Sequence, residues 1–162
     1  RRLLRYGRPE VTLQWVDPET RVRCKARLDW LAGDVMTDLK STTTVEARSF
    51  GRTAARLDYP GQLGFYRMGL LATGHELAPV HIIAVEQDQP HDVAVFRLSD
   101  DVLDAGEDVA RGLLRRLREC RRRRRWPGRY EDVEFLDIPP WYFDGSEDEI
   151  QILEGLRPGM SA

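Results

Sequence analysis

Lysine is almost missing from this sequence. Of its 25 basic residues only Lys25 and Lys40 are lysine, and the rest are arginine. Cysteine is nearly as scarce: Cys24 and Cys120 lie far apart and are too few for a disulfide framework or a four-cysteine iron–sulfur cluster. They read as reduced thiols of a cytoplasmic protein. No apolar run approaches the roughly 18 residues that a membrane span requires, and no signal peptide is visible, so membrane partners are excluded. A net charge of −2 gives no overall pull toward nucleic acid, which leaves any such binding to local clusters. The three histidines, His75, His81 and His91, have no ligand spacing and read as structural or surface residues.

What is present centres on the stretch from Arg27 to Lys40. It reads as two strands joined at Gly33-Asp34, where glycine supplies the positive φ of a two-residue hairpin loop. Counting outward pairs Ala32 with Val35, Leu31 with Met36, Trp30 with Thr37, Asp29 with Asp38 and Leu28 with Leu39. Directly opposed Cβ atoms lie roughly 4.5–5.5 Å apart, so Asp29 and Asp38 face each other, and Lys40 points the same way. Leu28, Trp30, Val35 and Leu39 then form the core face.

Two adjacent carboxylates repel unless a cation lies between them. A hard divalent ion such as Mg²⁺ takes one or two protein carboxylates and completes its shell with water and phosphate oxygens. That preference suits phosphodiester hydrolysis. In a chain that avoids lysine, a lysine two residues after Asp38 points to a need for a compact ammonium that a guanidinium does not meet. Such a group positions an attacking water or neutralises charge in the transition state.

These residues resemble the PD-(D/E)xK nucleases, most closely the RecE-like exonucleases of the exodeoxyribonuclease VIII type. The resemblance rests on Cys24-Lys25-Ala26-Arg27-Leu28-Asp29-Trp30-Leu31, on Asp38-Leu39-Lys40-Ser41-Thr42, and on Gln62-Leu63-Gly64-Phe65-Tyr66, a Q-x-x-x-Y motif of RecB-type nucleases. It implies that Asp29, Asp38 and the Leu39 carbonyl hold Mg²⁺ or Mn²⁺, that Lys40 serves the attacking water, and that Gln62 and Tyr66 line the site beside DNA. Glu10 matches an acidic residue found there in such nucleases, a candidate third carboxylate. The implied activity is degradation of linear double-stranded DNA to leave single strands for a recombinase, in a protein that can form homo-oligomers. The alternatives are a Cas4-like or RecB-like nuclease acting on single strands or flaps, and a non-catalytic DNA-binding or assembly module. Some Cas4-like relatives carry an iron–sulfur cluster, for which this chain has too few cysteines. Such nucleases often place a histidine motif upstream of the first aspartate. Here every histidine is downstream and the first residue is arginine, so a single nuclease domain lacking an upstream segment is expected.

The implied fold is α/β and restriction-endonuclease-like, a mixed sheet of about five strands flanked by helices on both sides. Val11–Val16 alternates as a first strand and Asp17-Pro18-Glu19-Thr20 makes the turn into the second. The hydroxyls of Ser41 to Thr44 are placed to cap a helix over Val45 to Leu57, or, at Ser41 and Thr42, to meet phosphate. A second helix is expected from near Tyr59-Pro60 to Thr73, with Gln62 and Tyr66 on one face. Strands follow over Val80–Glu86 and Val93–Leu98. A long helix begins after Ser99 and runs to about Arg125, burying Val102, Val109, Leu113, Leu117 and Cys120. Arg111, Arg115, Arg118 and Arg122 line another face, and the Arg121 to Arg125 run ends it. A short helix over Glu147 to Leu156 completes the reading.

Overall fold

A computed structural model describes residues 3–76 and 79–143, so the helix expected over Glu147 to Leu156 lies outside the described residues. The chain divides into two units, Arg1–Arg125 and Trp126–Ala162. In the second, the described residues carry one short 3-10 helix, Pro140–Tyr142. The first unit holds five strands and three α-helices: β1 (Arg8–Val16), β2 (Arg23–Ala32), β3 (Val35–Thr42), α1 (Ala47–Arg56), α2 (Tyr59–Ala72), β4 (Val80–Glu86), β5 (Val93–Arg97) and α3 (Asp100–Arg123). The sheet runs in chain order, antiparallel except for the β3–β4 pair, which is parallel. A parallel pair requires a crossover, and α1 with α2 supplies it.

The first turn is built by Asp17, whose buried carboxylate accepts from Thr20 N at 2.7 Å and from Thr20 Oγ1 at 2.6 Å. The second has Gly33 at φ +61°, as its glycine foretells. From it Ala32 pairs with Val35, Leu31 with Met36 and Trp30 with Thr37, and there the ladder ends. Asp29 with Asp38 and Leu28 with Leu39 are therefore not ladder pairs, contrary to expectation. On β2 the buried positions run Cys24, Ala26, Leu28 and then Leu31, so the two-residue alternation slips by one at Asp29-Trp30. The slip lies opposite Glu10, which has φ +53°. It also reverses the expected face of β3. Met36 and Asp38 are buried, whereas Leu39 is 49% exposed.

All three α-helices gather on this Met36/Asp38 face, a departure from helices on both sides. Helix α2 lies on β1 and β2, where Phe65 meets Trp15 at 4.8 Å between ring centroids and a Cβ on Gly69 would come within 2.7 Å of the same indole. Helix α1 reaches the sheet through Phe50, stacked on Phe96 at 4.8 Å. On the opposite face Leu39, Val93 and Val95 stay exposed.

Helix α3 packs on α2 through a different stripe from the one its hydrophobicity suggests. The buried residues are Leu103, Gly106, Glu107, Ala110 and Leu114, whereas of the expected stripe Val102, Val109 and Leu113 are exposed, Leu117 is partly buried against the core and Cys120 is half-buried. Two features select this face. A Cβ on Gly106 would lie 2.0 Å from the Pro60 carbonyl oxygen and one on Gly64 only 2.5 Å from Glu107 N, so the backbones approach as glycine alone permits. Beside them Arg67, buried on α2, binds Glu107 at 2.6 Å and also Asp104, and a buried arginine needs such partners.

Candidate active site

The hairpin's far end and the start of α2 converge on Lys40. Its ammonium lies 2.7 Å from Asp38 Oδ2 and donates to Gln62 Oε1 at 3.0 Å, and Gln62 Nε2 donates to Tyr66 Oη at 3.0 Å. The row Asp38, Lys40, Gln62, Tyr66 thus joins the two motifs, 22 residues apart between Lys40 and Gln62. Helix geometry explains the last link, because residues four apart share a face. Asp58, at φ +53°, caps α2 by accepting from Gly61 N at 3.1 Å, which fixes where that face begins.

Asp29 reaches the same place differently from the symmetrical pairing expected. Where the β2–β3 ladder ends, its Oδ2 accepts from Leu39 N at 2.8 Å, so the side chain takes a main-chain donor that the strand pairing has released. Asp38 is 1% exposed, and its Oδ1 has no hydrogen-bond partner. Burial pushes its carboxyl above the ordinary carboxylate range, the bond and charge of Lys40 pull it back, and the charge of Asp29 adds to the rise. A buried carboxylate with an orphaned oxygen, raised further by a neighbouring carboxylate, is a hard-oxygen donor set that a divalent cation would relieve. These residues fit such an ion. Among the described residues no group of three or more His, Cys, Asp or Glu is arranged to hold a metal, so the candidate side-chain ligands here are the two aspartates.

The other expected site residues fare differently. The Glu10 carboxylate is exposed and bound to Arg27 Nε at 2.7 Å. Ser41 is exposed, its Oγ accepting from Gln87 Nε2 at 3.4 Å. Thr42 is buried and its hydroxyl donates to the Thr44 carbonyl at 3.1 Å, so it has no surface to offer phosphate. Neither caps α1. That helix starts at Ala47, with Glu46 accepting from Arg48 N at 2.9 Å and Ser49 N at 2.8 Å. The arginine face of α3 is also engaged. Arg111 binds Glu107, Arg115 binds Glu19 at 2.7 Å, Arg118 donates to the Glu19 carbonyl, and Arg122 and Arg123 bind Glu119. His75 meets Asp34 at 3.0 Å and His91 the Glu86 carbonyl at 3.2 Å, both outside the site.

One residue of the site has no motif to announce it. The Tyr59 ring lies under the Lys40 ammonium, 4.7 Å from Nζ to centroid. Its only sequence signal is its place three residues before Gln62, at the first turn of α2.

Residues 1–139 match the model of a family described as a PDDEXK-like domain of unknown function (DUF3799). No curated protein matches the sequence. Among solved structures, the chain is similar to a presumptive exonuclease from Eubacterium rectale, with a TM-score of 0.54 and 13% identity over 89% of this chain and 59% of that one. It also aligns with the protein SSO0001 at a TM-score of 0.40 and 12% identity, over 96% of this chain and 62% of that one. The chain thus spans about three fifths of the length of these structures. Among the described residues no helix is long and apolar enough to cross a membrane.

Proposed function

From the premise that this chain belongs to the PDDEXK-like domain family, we propose that it is a metal-dependent deoxyribonuclease of the RecE-like kind. It shortens linear double-stranded DNA from an end and leaves single strands for an annealing recombinase, working in the cytoplasm. The observation that carries the reading is the row Asp38, Lys40, Gln62, Tyr66 beside Asp29, in which each polar group is held by the next.

Asp29 and Asp38, with the Leu39 carbonyl, would hold Mg²⁺ or Mn²⁺. Bound there, the ion would lower the pKa of a coordinated water and polarise the scissile phosphate. The chain's own residues do the rest. Lys40 has three N–H donors, of which Asp38 and Gln62 take two, so one remains for the attacking water or a phosphate oxygen. Its charge offsets the negative charge that develops at phosphorus, in a position fixed before substrate arrives. Gln62, held by Tyr66, keeps the ammonium from collapsing onto Asp38 alone. Tyr66 and the exposed Ser41 hydroxyl face the DNA backbone.

The test uses linear duplex and a relaxed, covalently closed circle of the same sequence in one tube with Mg²⁺. Loss of the linear form alone supports an end-dependent exonuclease. Cutting of the circle at a comparable rate overturns that assignment in favour of an endonuclease.

A further inference from the structure

The lysine at the centre of the site is bounded on a third side by an aromatic face, and what holds that face in place lies in elements distant in sequence. Only 15% of the Lys40 side chain is exposed. Asp38 and Gln62 approach its ammonium with oxygens, and the Tyr59 ring lies 4.7 Å away, within the distance at which a cation is attracted to a ring face. Tyr59 is itself fixed. Its backbone follows the left-handed Asp58 cap and precedes Pro60 in the first turn of α2. Its ring packs on Phe50 of α1 at 6.2 Å, and Phe50 stacks on Phe96 of β5. A series of rings thus runs from the edge strand to the lysine. Without the ring, a flexible four-carbon stem tethered by two polar contacts would swing on Cα, because ion pairs and hydrogen bonds to a compact ammonium are weakly directional.

We propose that Tyr59 is a positioning residue: its ring face holds the Lys40 ammonium in the place from which it acts on the attacking water or the phosphate. The inference rests on the nuclease reading for its effect on rate, and on geometry alone for its effect on the lysine. The phenol hydroxyl takes no part. Tyr59→Phe therefore keeps the function, whereas Tyr59→Leu, which keeps an apolar side chain but no π face, lowers kcat about tenfold with KM unchanged.

Two measurements test this. In steady-state degradation of linear duplex with Mg²⁺, the expected result is the kcat loss in Tyr59→Leu and its recovery in Tyr59→Phe. Equal kcat in the leucine variant and the wild type overturns the proposal. The second measurement needs no activity. Because Lys25 and Lys40 are the only lysines, ¹³C-lysine labelling yields two Cε–Hε signals by NMR, and the ring current over Tyr59 moves the Lys40 signal upfield of Lys25. In Tyr59→Leu the Lys40 signal returns to the position of Lys25, whose own signal stays as the control for folding. Should the leucine variant fail to fold, the wild-type spectrum decides alone, since two coincident lysine signals overturn the proposal. Activity that survives both Asp38→Asn and Lys40→Ala would sink the nuclease site itself, while leaving the NMR result to stand on its own.

Discussion

Replacing Asp38 with asparagine separates what this carboxylate does for folding from what it does for metal binding, and the two effects have opposite signs. In the metal-free protein, burial raises the Asp38 pKa despite the ion pair with Lys40. A folded-state pKa above the unfolded value means that the stability linked to the group is complete at acid pH and is lost as pH rises through the folded value. Asparagine has the same shape and no charge to ionise, and Lys40 keeps Gln62 and Tyr59 as neighbours. The variant should therefore melt higher than the wild type near neutral pH without metal, and its Tm should not fall over the pH range where that of the wild type does. Added metal reverses the order. With a Kd of about 1 mM, about 10 mM Mg²⁺ or Mn²⁺ stabilises the wild type by RT ln 11, about 1.4 kcal/mol. For a chain of this size that is a rise in Tm of about 3–6 °C. The asparagine variant, with one of two carboxylate ligands gone, should shift by less than about 1 °C. Differential scanning calorimetry across pH, with and without metal, reads all of this. An equal metal shift in both proteins would refute the assignment of Asp38 as a ligand. A large loss of metal-free stability in the variant would refute the claim that its charge is a burden to the fold.

Lys40→Arg keeps the charge and changes the shape, so it should fold normally and lose most cleavage; near-wild-type rates would return the Asp38–Lys40 pair to a structural role. Gly106→Ala places a Cβ 2.0 Å from the Pro60 carbonyl oxygen. Forcing α3 off α2 in this way should cost about 1–3 kcal/mol or more in urea unfolding, and an unchanged midpoint would contradict the close helix crossing. At the far end of α3, hydrogen bonds from Arg122 and Arg123 lower the Glu119 pKa to about 2 from an ordinary 4.5. Because the folded value is the lower one, the pair's contribution is present above about 4.5 and fades as pH falls toward about 2. A ¹³C titration of the Glu119 carboxyl with its midpoint near the ordinary value would show that these arginines are unpaired in solution.

The parts of the molecule that were legible in the sequence are those governed by local rules. A two-residue glycine turn sets the pairing of Trp30, Leu31 and Ala32 with their partners. An apolar run between turn signals marks β4 at its observed bounds, Val80–Glu86. Four-residue spacing joins Gln62 to Tyr66. Contacts between distant elements decided the rest. Period-two counting carries no warning of the slip at Asp29, which turned Asp38 inward and made Asp29 a cap for Leu39 N. Of the stripe that hydrophobicity marked on α3, Leu117 does pack against the core, but Val102, Val109 and Leu113 do not hold the centre of the contact, because a glycine contact and a buried arginine look unfavourable until their partners Pro60, Glu107 and Asp104 are known. The partners of the arginine face were hidden in the same way, since Glu19, which holds Arg115, sits 96 residues away. Tyr59 carries no signature of its own, and only the fold brings its ring to Lys40.

The most direct test of the central claim is single-turnover cleavage of an end-labelled linear duplex by the wild type and Asp38→Asn, with Mg²⁺, with Mn²⁺ and with chelator. The account predicts that the wild type releases labelled nucleotide with either ion and none with chelator. It also predicts that the variant loses at least about a hundredfold in rate. Cleavage that persists in chelator, or an asparagine variant that cuts as fast as the wild type, would contradict it.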